Sequence, residues 1–163
     1  MLTYSILETH IIFREGLNRM YHILLPVAEN DSQLEAQLDT LADLPGQDEL
    51  RVTVLHVHEE VETVPDEAGK SVINSINEMI GELQGVPDTV ERAARVIESS
   101  ETPVEVMTTQ GTPTDCIIEV ANETDANAIL IAGRTRTPVG KAVFGSVTQG
   151  VILQGDLPVI VAG

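Results

Sequence analysis

The chain has 163 residues, with 26 acids against nine arginines and lysines and a formal net charge of −17. A surface that negative excludes binding to nucleic acid backbones or anionic membranes through a general basic face. No stretch reaches the roughly 18–20 apolar residues that span a bilayer, so no membrane association is expected.

Lysine is nearly absent, with only Lys70 and Lys141. An acidic, lysine-poor surface is expected of a halophilic cytoplasm, where molar salt shortens the Debye length to about 3 Å and screens self-repulsion. An ordinary acidic protein is the plainer alternative. Cys116 is the single cysteine, so no intramolecular disulfide can form and a reducing compartment fits. It is expected to be a buried, inert thiol on an apolar helix face. Glu8 and Glu15 deny the N-terminus the basic start of a signal peptide, and a cytoplasmic location is the expectation. The length suits one domain. The 42% apolar content is almost all aliphatic, which suits a sheet covered by helices on both faces.

Residues 1–20 match no part of the pattern that follows and are expected to form an N-terminal extension. Residues 21–163 alternate strand and helix. His22–Val27 is the first predicted strand. Asp31 or Ser32 can cap a helix with apolar positions Leu34, Leu38, Leu41 and Leu44, ended by Pro45-Gly46. Arg51–Val57 is the second strand. One helical face follows at Val72, Ile73, Ile76, Met79, Ile80 and Leu83, and another at Val90, Ala93, Ala94 and Ile97. Gly85-Val86-Pro87 separates them, because proline lacks the amide a continuing helix would use.

Val104–Thr108 is the third strand, and Thr112-Pro113-Thr114-Asp115 starts a helix with an N-cap threonine and a first-turn proline. Ala128–Ala132 is the fourth strand. After a long turn, Ser146 with Gln149 offers a capping box for a helix through Leu153. Pro158–Ala162 is the fifth strand. Five strands separated by helices predict a single α/β domain with a parallel, doubly wound, Rossmann-like sheet.

Ligands of such sheets bind beyond the carboxyl ends of the strands, where the strand order reverses. The turn after strand four stands out. Thirty residues without an acid lie between Asp125 and Asp156, and they hold Arg134, Arg136 and Lys141, a third of all the bases. Gly133, Gly140 and Gly145 permit positive φ and close approach of backbone amides to a ligand. With the positive end of the next helix, those amides form a ready phosphate site, and the Ser146 hydroxyl is a further donor. A structural turn with solvated bases is the competing reading. His56 and His58 share a face of strand two, but no cysteine clusters with them, and they are expected to be structural rather than metal ligands. No nucleophile, base or metal cage is evident near the turn, so binding rather than catalysis is expected.

The run Gly133-Arg134-Thr135-Arg136-Thr137-Pro138-Val139-Gly140-Lys141-Ala142-Val143-Phe144-Gly145-Ser146-Val147, with the later Leu157–Val161, resembles the C-terminal signature of the universal stress proteins. The resemblance extends over Tyr21–Gly163, through HILLPV, VTVLHV and QGTPTDCIIEVA. It implies an adenine nucleotide alpha hydrolase-like fold with strand order 3-2-1-4-5. It also implies adenosine near the ends of strands one and three, and phosphates on the Gly133–Val147 turn. ATP, with Mg²⁺ if ATP is bound, and a homodimer pairing through Pro158–Ala162 are the implied ligand and partner. The chain departs from the family's ATP-binding pattern at two places. Arg136 occupies the second glycine position, with the interval to Gly145 one residue short, and Ala28 stands where an aspartate is usual. A dimeric interaction module that binds no nucleotide is therefore the alternative.

Overall fold

A computed structural model describes residues 19–59, 85–133 and 144–163. Its elements are β1 (Tyr21–Pro26), α1 (Asp31–Asp43), β2 (Leu50–Glu59), α2 (Asp88–Ser99), β3 (Val104–Gly111), α3 (Pro113–Glu123), β4 (Ala128–Ala132), α4 (Ser146–Gln154) and β5 (Val159–Ala162). All four strand pairings are parallel, and the order is β3-β2-β1-β4-β5. The predicted doubly wound sheet is present. The helical face expected at Val72–Leu83, and most of the expected extension, lie outside the described residues.

Alternation along the strands builds the core on both faces of the sheet. Ile23, Leu25, Val52 and Val54 pack with Leu34 and Leu41 of α1 and Val90, Ala93 and Ile97 of α2. Their neighbours Leu24, Leu55, Ile129 and Ile131 point the other way, against Ile117, Val120 and Ala121 of α3 and Val151 of α4. A one-residue slip of any of these strands would exchange the two sets. Cys116 is buried on α3, as its helix face required.

Several local expectations are corrected. The cap of α1 is Asn30, whose Oδ1 accepts from Gln33 N at 3.0 Å, rather than Asp31 or Ser32. Thr112 holds the N-cap position of α3, but its side chain makes no capping bond. β2 and β3 run on past their predicted ends because His58 pairs with Gln110 and Glu59 with Gly111. α2 starts directly after Pro87, as the proline signal required.

At the amino end of the sheet, His22 is only 1% exposed. Its Nδ1 lies 3.1 Å from the Thr124 carbonyl, which can only accept, so Nδ1 carries the proton. Its Nε2, 2.8 Å from Thr53 Oγ1, then accepts from that hydroxyl. Burial, reinforced by the Arg51 charge, lowers the His22 pKa below the ordinary 6.5. The unfolded chain therefore takes up a proton near pH 6.5 that the folded one refuses. Stability present above that pH is lost as pH falls from it toward the lowered folded value. Urea midpoints measured from pH 7.5 to 5 are expected to fall less steeply in His22→Gln than in the parent. Parallel curves would remove His22 from the acid response.

Candidate functional site

The carboxyl ends of β1, β2 and β4 and the first turn of α4 enclose a cavity of about 630 Å³. That is the size of a cofactor or nucleotide pocket. It lies where the strand order turns from β1 to β4. Val27, Ala28 and Glu29 supply one wall, and His56, His58 and Glu59 a second. Pro113 and Ile117 of α3 reach it from the far face, whereas β3 contributes no lining residue among those described. The cavity lies over strands one, two and four, whereas the family resemblance implied adenosine near the ends of strands one and three.

Proline creates the opening. Val27 N donates to Leu55 O at 2.8 Å, so Val27 turns its main chain toward β2. Pro26, one residue earlier, must turn toward β4, and it has no hydrogen to donate. The β1–β4 register accordingly holds only Ile23↔Ala128 and Leu24↔Ile129, against six pairs between β1 and β2. Beyond that point the strands fork, and the amide of Gln37 fills the fork. Its Nε2 donates to Pro26 O at 2.8 Å and to Leu130 O at 3.2 Å.

Among the described residues, no side chain caps the start of α4. Gly145 is its N-cap, at φ −68° and ψ 165°, with no side-chain capping bond. Gln149 N donates to Gly145 O at 3.0 Å, so the predicted Ser146–Gln149 capping box gives way to a helix whose first residue is Ser146. The amides of Ser146, Val147 and Thr148 precede Gln149 N, the first intrahelical donor, and have no carbonyl acceptor within the helix. Thr148 Oγ1 donates to Ala132 O at 2.9 Å and pins this turn to the end of β4. Gly145, Ser146 and Val147 all border the cavity.

Gly133 has a packing task that its motif did not suggest. Neither it nor Gly145 takes a positive φ. A Cβ on Gly133 would meet Ala162 O at 3.0 Å and Val161 Cγ1 at 3.1 Å, and its N–H donates to Ala162 O at 2.6 Å. Glycine is required there for contact with β5. Arg134, Arg136, Gly140 and Lys141 lie outside the described residues. Among the described lining residues the charged ones are Glu29 and Glu59, so the positive character of this part of the rim comes from the α4 amides.

His56 is buried, and its Nδ1 donates to Val27 O at 3.0 Å, leaving Nε2 as an acceptor in the neutral ring. Its ring stands edge-on to that of His58, with centroids 4.6 Å apart. This main-chain bond ties the end of β2 to the end of β1.

A family model described as "Universal stress protein family" matches residues 20–163. The chain belongs to the universal stress protein family. A universal stress protein from Archaeoglobus fulgidus is 26% identical, with a TM-score of 0.60 over 86% of this chain and 97% of that one. A structure from the same organism, described as a universal stress protein in complex with dAMP, is 22% identical, with a TM-score of 0.59 over 89% of this chain and 99% of that one. The stress response protein NhaX of Bacillus subtilis is 26% identical over 74 residues, a match spanning 45% of this universal stress protein and only 45% of that relative.

Sequence reasoning missed Gln37, Thr148 and the wall made by His56 and His58 as cavity residues. Gln37 did leave a signal. It sits three residues after Leu34 and four before Leu41, a polar side chain on the inward stripe of α1.

Proposed function

We propose that this universal stress protein works in a stress response by binding an adenine nucleotide, with the phosphates on the N-terminus of α4. One observation carries the reading: the uncapped first turn of α4 opens onto a nucleotide-sized cavity at the β1/β4 switch point. The Ser146 and Val147 amides would hold the phosphate, and the Ser146 hydroxyl would add a donor. Arg134, Arg136 and Lys141 would neutralise it, and Gly133, Gly140 and Gly145 would shape the turn. The Archaeoglobus fulgidus relative in complex with dAMP supports this class of ligand. Among the described residues no three His, Cys, Asp or Glu side chains gather to hold a metal ion. Mg²⁺ would accompany the nucleotide where that nucleotide is ATP. Ala28 offers the ligand no carboxylate, which leaves recognition of the base and sugar to other groups.

The protein would also pair with a second copy through β5, whose outer edge has no neighbouring strand among the described residues. Leu153, 81% exposed on α4, would extend that apolar contact. In this proposal residues 21–163 are the binding unit, 1–20 an extension, and the working medium a concentrated salt cytoplasm.

Thermal melts in molar KCl test it. A nucleotide at about 100 times its Kd adds about 2.7 kcal/mol to stability, a rise of roughly 5–10 °C for a chain of this size. ATP or ADP at millimolar concentration is expected to give that rise, and light scattering on the same samples a dimer mass. Absence of both shift and binding heat would remove the nucleotide. A monomer across the salt range would remove the pairing.

A further inference from the structure

We infer that Gln37 is a specificity residue of the cavity, its amide oxygen accepting a hydrogen bond from an N–H or O–H donor on the base or sugar of the bound nucleotide. The inference rests on the nucleotide reading above and names the group that selects among nucleotides. Gln37 is 1% exposed and lies on α1 facing the cavity. Pro26 O and Leu130 O can only accept, so the amide nitrogen must lie between them, and the orientation of the group is fixed by chemistry. Both of its hydrogens are then used. No described residue donates to Oε1, and this oxygen is not sealed in the interior. It is an immobilised acceptor on the cavity floor.

A buried acceptor discriminates strongly, because a ligand that cannot donate leaves it without a partner. An adenine amine satisfies it, whereas the carbonyl at the same place in hypoxanthine opposes it. A ribose hydroxyl satisfies it equally, whereas a dideoxyribose does not. Calorimetry on the full chain in molar KCl distinguishes these sources by comparing ADP with IDP, and ADP with 2′,3′-dideoxy-ADP. One of the two pairs is expected to differ roughly tenfold or more in wild type. In Gln37→Met, which keeps the volume but loses the acceptor, that ratio is expected to fall close to one. A merely structural Gln37 would weaken all three ligands together and leave the ratios unchanged.

Equal affinities within both pairs in wild type would overturn the inference while leaving the nucleotide reading intact. A preference that persists in Gln37→Met would do the same. Failure of wild type to bind any of the three would overturn both. Should Gln37→Met not fold, Gln37→Glu keeps an acceptor at the same place and is expected to retain the wild-type preference, and its loss there would overturn the inference.

Discussion

Ser146→Asp is expected to raise the melting temperature slightly while lowering affinity for ADP about a hundredfold. The two effects have opposite signs because they address the same positive end of α4 from different sides. A carboxylate at the first helical residue interacts favourably with the helix dipole, by about 0.3–1 kcal/mol. Toward a phosphate it is a like charge in the place of a donor, a loss of several kcal/mol. Ser146→Ala is the control, removing the hydroxyl alone and weakening binding only a few-fold. Paired melts and calorimetry in high salt read both quantities from one preparation. Undiminished binding by Ser146→Asp would move the phosphate away from α4.

The second large effect is expected at Gly150, in the middle of α4. Alanine in place of an interior helical glycine ordinarily stabilises by about 1 kcal/mol. Here the added Cβ would lie 2.6 Å from Thr114 Oγ1 and 2.7 Å from its Cγ2. Thr114 belongs to α3 and is branched at Cβ, so turning its side chain largely exchanges one obstacle for another. Gly150→Ala is therefore expected to destabilise by about 1–3 kcal/mol. Adding Thr114→Ala to that variant is expected to restore much of the loss, a coupling that a double-mutant cycle in urea measures directly. Additive effects would show that the helices do not meet there.

The architecture was legible because the strands are short aliphatic runs whose alternation leaves few other registers. Strand order followed from resemblance to a family and is the order found. Chain ends of elements were harder. Asn30, Asp31 and Ser32 are all competent caps in succession, and only the geometry selects Asn30. The extra length of β2 and β3 comes from mutual pairing across 50 residues or so of chain, which no local window contains. At the site, Gly145, Ser146 and Val147 were found by their motif and do border the cavity. The contact of Gly133 with β5 was not legible, because it depends on a strand that comes 26 residues or so later in the chain. Gln37 was passed over because a glutamine inside a helix reads as solvent-facing until its inward register is checked against Leu34 and Leu41.

The forked seam between β1 and β4 has a mechanical consequence. Below the fork, separating these strands would break ladder bonds that belong to the whole sheet. Above it, among the described residues, two side-chain hydrogen bonds from one amide span the gap. Each is worth about 1 kcal/mol net. Parting the strands at the mouth would thus fall on that one amide and leave the ladder beneath it untouched.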